Sequence, residues 1–331
     1  MATKEQVEQK LEEILVPAVL RSVTQLNLLR SIEIKENRMK ITLSDAALAS
    51  DVQEWLRNEI QNNLTGLEGV DAVAVDFEQA TPKDINKVNK VVAVMSGKGG
   101  VGKSLVTALL AIAMRRQGKA VGILDADVTG PSIPKMFGIN GRPGGSDNGL
   151  LPVTSKSGIE IMSINLLLPN EDDAVIWRGP LVGKSVTQFW EDVLWGKLDY
   201  LIVDLPPGTA DVPLTVMQSL PLSGVIIAMS PQDLAAMVVR KAVNMANQMS
   251  VPVLGLVENM SYFLVPETGN KVEIFGPSRV GEMASRTGAP ILGQIPLDPQ
   301  LATLSDKGEI EKYDSEVFNE FQEAATRVLG T

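Results

Sequence analysis

Val91-Val92-Ala93-Val94-Met95-Ser96 runs directly into Gly97-Lys98-Gly99-Gly100-Val101-Gly102-Lys103-Ser104, and no other stretch restricts the fold of this chain as tightly. The apolar run is β-branched and uncharged, as a strand buried on both faces of a parallel sheet requires, and Leu105 to Gln117 after it has helical composition. The glycines therefore fall at a strand-to-helix turn. Backbone N–H groups and the positive end of the helix dipole there face a polyanion, while Gly97, Gly99, Gly100 and Gly102 permit close approach and positive φ. Lys103 is expected to reach the β- and γ-phosphates of ATP, and the Ser104 hydroxyl to hold Mg²⁺. Lys98 adds a second cation to a loop that ordinarily needs one.

Beyond that turn, apolar runs alternate with helical segments, the pattern of an α/β, doubly wound parallel sheet P-loop NTPase. Strands are expected at 91–96, 121–125, 159–164, 200–204, 224–229, 253–258 and 291–295. Residues 1–80 read as a small α+β domain in the order α-β-β-α-β, with Trp55 and Ile60 on the apolar side of its second helix. Residues 81–90 read as a linker, 91–331 as the ATPase domain, and the glycine-rich 141–149 as a flexible hairpin. The last helix, from Ser315 to Leu329, turns Val317, Phe318, Phe321 and Val328 inward.

With 30 Lys and Arg against 40 Asp and Glu, the chain carries a formal charge of −10, which argues against a nucleic-acid partner. No signal peptide or membrane-span pattern is present, so a cytoplasmic protein is expected. Cysteine and histidine are both absent. Thiol nucleophiles, imidazole bases and the usual zinc ligands are excluded together, leaving carboxylates, hydroxyls, Lys and backbone for any proton transfer or metal binding.

Two acidic clusters stand at expected strand ends, where ligands of such sheets collect. In Leu124-Asp125-Ala126-Asp127, Asp127 is a candidate to orient or deprotonate the attacking water and Asp125 lies near the metal; the alternative is a pair of capping aspartates. Leu201-Ile202-Val203-Asp204-Leu205-Pro206-Pro207-Gly208 has a Walker B pattern that gives Asp204 to Mg²⁺. The Pro-Pro-Gly suits a switch loop, with the Gly208 N–H available to the γ-phosphate.

Together these motifs resemble the Mrp/ApbC family of P-loop ATPases, iron–sulfur cluster carriers within the MinD, ParA and nitrogenase-reductase superfamily. Further matching stretches are Trp177-Arg178-Gly179-Pro180, Ser230-Pro231-Gln232, Val257-Glu258-Asn259-Met260-Ser261-Tyr262-Phe263 and Gly293-Gln294-Ile295-Pro296-Leu297-Asp298. The resemblance implies a homodimer that sandwiches ATP, with Lys98 reaching the partner subunit's site. It also implies Asn259 near the adenine, unless it caps a turn, and Arg178 either in a surface loop or against the switch region. It further implies iron–sulfur assembly proteins or apoprotein clients as partners, and residues 1–80 are similar to the PaaD-like domain that often precedes such ATPases.

The chain departs from the family at one point. Many members follow the Ser-Tyr-Phe stretch with Cys-Pro-His-Cys, whose cysteines hold a 4Fe-4S cluster across the dimer; Val265 and Thr268 stand in their place here and neither ligates iron. The expected function is therefore an ATPase of iron–sulfur cluster assembly or transfer whose cluster ligands come from elsewhere. The alternative is a MinD- or ParA-like positioning or regulatory switch without a cluster. The acidic last helix makes a poor membrane surface, so no membrane partner is expected.

Overall fold

A computed structural model describes residues 2–17, 19–127, 130, 132–168, 179–209 and 211–330. The chain divides into two compact units. The smaller comprises residues 1–89 with two later segments, 142–154 and 188–198. Helix α1 (Lys4–Glu13) opens on a capping box at Thr3 and Gln6, which satisfies two otherwise orphaned N–H groups. Strands β1 (Leu29–Lys35) and β2 (Arg38–Ser44) pair antiparallel around Glu36 and Asn37, both at positive φ. Helix α2 (Ser50–Leu64) then crosses to β3 (Ala72–Glu78), parallel to β2.

On α2 the buried residues are Leu56, Ile60 and Leu64, spaced i, i+4, i+8. Trp55, one step off that stripe, is 39% exposed, which corrects the expected apolar face. Arg57 and Gln61 of the same helix donate to the carbonyls of Val75 and Val73, covering the outer edge of β3.

The two later segments are tied into this unit by specific bonds. Arg21 donates to the carbonyls of Trp195, Gln25 and Lys197, and the Thr154 hydroxyl donates to Val19 O. Leu151 and Leu194 join the same apolar core. The glycine-rich stretch forms a hairpin between Gly144–Ser146 and Gly149–Leu151. Residues 82–85, read from sequence as part of a linker, form a single helical turn with a capping box at Thr81 and Asp84.

The larger unit is built on the expected sheet. Its strands are β4 (Lys87–Ser96), β5 (Val121–Asp125), β6 (Glu160–Ser163), β7 (Lys197–Asp204), β8 (Gly224–Met229), β9 (Val253–Leu264), β10 (Lys271–Val272) and β11 (Ile291–Leu297). Spatial order runs β6-β5-β7-β4-β8-β9, with β11 parallel and β10 antiparallel to β9. Register places Asp204 beside Asp125 and Ala228 beside Ser96, so the carboxyl ends of the strands share one rim. Helix α3 (Lys103–Arg116) is buried from Val106 through Met114, which explains its nearly charge-free sequence.

The last helix, α4 (Glu316–Leu329), packs on β11 and α3 through Phe318, Phe321, Ala325 and Leu329. Val317 and Val328 are only half-buried; the inward stripe is offset by one position from the expected one, toward the i, i+3, i+7, i+11 set. Among the described residues no helix is long and apolar enough to cross a membrane.

Candidate active site

The glycine loop leaves β4 at Ser96 and enters α3 at Lys103. Gly100 (φ 80°) and Gly102 (φ 77°) hold left-handed backbone that a β-carbon would strain. No side chain caps the start of α3, so its first amides remain available to an anion.

Lys103 is 5% exposed and lies between two carboxylates, 2.7 Å from Asp204 Oδ1 and 3.3 Å from Asp127 Oδ2. Although these are ion-pair distances, the ammonium makes no well-directed hydrogen bond. With three N–H donors and two carboxylate contacts, the ammonium retains capacity for a further anion, as a phosphate requires.

Asp204, fully buried at the end of β7, also accepts from the Ser104 hydroxyl at 2.5 Å and from the Thr107 hydroxyl at 2.8 Å. Thr107 was not foreseen. Its signal is the i, i+4 spacing from Lys103, which places both on one face of α3, and its single hydroxyl hydrogen is shared between Asp204 Oδ1 and Lys103 O, 3.1 Å away. The oxygen donors Ser104 and Asp204 suit a hard cation such as Mg²⁺.

Asp125, the third expected ligand, lies beside Asp204 in the strand register. It accepts from Ser163 Oγ at 3.0 Å and from the Asp127 amide at 3.1 Å. Complete burial, with the nearby Asp204 charge as a second cause, pushes its carboxyl well above its ordinary 3.8, against the opposing pull of Lys103. A carboxyl raised in the folded state binds more protons there than in the unfolded chain. Stability contributed in this way is present below the ordinary pKa and is lost as pH climbs toward the folded value. The nucleotide-free protein is expected to melt at lower temperature as pH rises above the ordinary carboxylate range, with a smaller decline for Asp125→Asn, read by thermal denaturation.

The other expected residues fall as follows. Gly208 donates its N–H to Ser96 O at 3.0 Å, and Leu205 donates to Val94 O at 3.1 Å, so the Pro-Pro-Gly loop is bound to the end of β4. Lys98 donates to Gln232 Oε1, in the family-matching Ser230-Pro231-Gln232 stretch that the sequence does not pair with this lysine. Asn259 is buried under the loop and donates to Val101 O at 3.0 Å; a β-carbon on Gly102 would lie 2.1 Å from its Nδ2. Close approach of this amide therefore requires glycine at 102. Arg178 lies outside the described residues.

Met260, next to Asn259, is the residue reasoning from sequence passed over. Its φ of 57° is a left-handed conformation that costs a bulky residue about 1–3 kcal/mol, and it coincides with a break in register between β9 and β11. Val265 and Thr268 occupy the hairpin after β9, where Thr268 and Gly269 both donate to Val265 O.

A family model for NUBPL iron-transfer P-loop NTPases, of the ParA group, matches residues 87–329. An iron–sulfur cluster carrier protein of Aquifex aeolicus is 48% identical over 246 residues, 73% of this chain and 67% of the relative. One of Haemophilus influenzae is 36% identical over 335 residues, 98% of this chain and 90% of the relative. A nucleotide-binding protein from Archaeoglobus fulgidus, solved in complex with ADP, is 47% identical with a TM-score of 0.63, covering 70% of this chain and 91% of that one. The cell-division protein MinD of Aquifex aeolicus, 20% identical with a TM-score of 0.52, shares the fold.

Proposed function

The chain belongs to the NUBPL iron-transfer P-loop NTPase family, and from that premise we propose that it is a Mg²⁺-dependent ATPase acting as a homodimer in cytoplasmic iron–sulfur cluster assembly and delivery to apoproteins. The observation that carries the ATPase reading is the buried Lys103 ammonium, wedged between carboxylates with its donors undirected, behind a glycine turn and an uncapped helix.

In this reading the loop amides of Gly97 to Gly102 and Lys103 bind the phosphates, while Ser104 and Asp204 hold the metal. Mg²⁺, when bound, neutralises charge on the β- and γ-phosphate oxygens. Asp127 accepts a hydrogen bond from the attacking water and fixes its direction. Lys98 supplies positive charge to the partner subunit's site. Gly208 gives up Ser96 O for the terminal phosphate, so hydrolysis lets the Pro-Pro-Gly loop return. Residues 1–80 serve as a PaaD-like domain, joined by 81–90 to an ATPase domain within 91–331 that lends segments 142–154 and 188–198 to the smaller unit.

A cluster in this pathway is cargo, and the chain's own residues do not fit it. No thiolate or imidazole exists anywhere in the sequence, and clusters are held by those groups. The ligands must then come from a donor or client protein, with this chain supplying the ATP-dependent step. Anaerobic incubation of the purified chain with iron and sulfide is expected to leave no stable cluster on it, by iron counting and absorbance. ATP is expected to accelerate transfer from a loaded donor to an apoprotein in its presence. Transfer indifferent to both chain and ATP defeats the proposal, and a stable cluster on the chain alone overturns the assignment of ligands.

A further inference from the structure

The strand corner Glu258–Asn259–Met260–Ser261 combines three features that packing alone does not require. Glu258 is fully buried, and among the described residues no cation pairs with it. Its carboxylate instead accepts five hydrogen bonds: from the amides of Arg279 (2.9 Å) and Val280 (3.1 Å), the hydroxyls of Ser261 and Ser278 (both 2.6 Å), and Gln294 Nε2 (3.1 Å). Gln294 Nε2 also lies 3.0 and 2.7 Å from the Ser261 and Ser278 hydroxyl oxygens, so its two hydrogens are shared among three acceptors and close the network. Met260 in left-handed backbone folds Ser261 back onto Glu258, and Asn259 between them reaches Val101 O in the phosphate loop.

Desolvating a carboxylate without a counter-charge is unfavourable, and five donors compensate it only while the corner keeps its shape. Backbone strain persists where surrounding bonds over-determine it. We infer that Glu258 is a positioning residue of the nucleotide site: by clamping residues 278–280 and Gln294 to the corner, it holds Asn259 against Val101 and Gly102 and so sets the loop for its phosphates. The carboxylate touches no ligand itself; it acts through Asn259. This rests on the ATPase reading proposed above.

Glu258→Gln keeps the shape but turns one acceptor into a donor, so at least one of the five partners meets a donor. The KM for ATP is expected to rise about tenfold with kcat within about twofold, because the loss falls on binding rather than on the chemical step. Asn259→Ala is expected to raise KM similarly, and the double variant no further than the larger single one, since both act along one path. Should Glu258→Gln fold poorly, Ser278→Ala removes one donor to Glu258 and one acceptor of Gln294 without placing a donor against the carboxylate, and is expected to raise KM about twofold to threefold.

A purely stabilising Glu258 predicts instead a lower melting temperature with KM unchanged. Parental KM in both Glu258→Gln and Ser278→Ala, or additive effects in the double variant, overturns the inference. If Lys103→Ala hydrolyses ATP normally, the ATPase reading itself falls, so the two failures are distinguishable.

Discussion

Lys103→Ala is expected to cut ATP hydrolysis by about a hundredfold to a thousandfold, the scale on which a pre-placed charge donor acts on a developing phosphate charge. A second consequence follows from its surroundings and moves in the same assay tube. Asp204 is fully buried and Asp127 nearly so, and both lose the ammonium between them. Breaking a buried pair by removing one partner typically costs about 3–5 kcal/mol. The nucleotide-free variant should therefore melt well below the parent, and added Mg²⁺ should recover part of that loss by neutralising Asp204. Unchanged hydrolysis means that the phosphate site is misassigned. Unchanged melting means that the ion pairs with Asp204 and Asp127 contribute nothing net.

Lys98→Ala is expected to behave differently in every readout. Its ammonium meets the Gln232 side chain and, among the described residues, no buried carboxylate, so melting temperature should stay at the parental value. Nucleotide binding should change little, because Lys103 and the loop amides remain. Turnover should nevertheless drop by about a thousandfold, or ATP-dependent dimerisation should be lost, as when a cation supplied in trans to a phosphoryl-transfer site is removed. Turnover and dimerisation both at parental levels exclude a role for this lysine across two subunits.

The loop proposed to bind phosphate was legible because its chemistry is local: a glycine turn between an uncharged strand and a helix needs no distant partner to be interpreted. The parallel sheet was legible for a related reason, since strands buried on both faces leave unbroken apolar runs. What escaped is long-range or depends on side-chain direction. Nothing near Thr107 announces that its hydroxyl meets Asp204, 97 positions away. Nor does the sequence at Glu258 reveal partners at 278 to 280 and 294. Trp55 was misjudged because a large aromatic beside an apolar stripe resembles a member of it, and a single step around a helix turns it toward solvent. The one-position offset of the final helix has the same origin, because Phe318 and Phe321 are compatible with either stripe.

In the proposed ATPase the bond from Gly208 to Ser96 acts as a latch on the Pro-Pro-Gly loop. One amide hydrogen serves one acceptor well, so a newcomer at that N–H must compete with the protein's own main chain. The competitor is permanently tethered and needs no diffusion to return. Once the newcomer departs, the latch resets by itself, and the resting shape is restored without help from any other molecule.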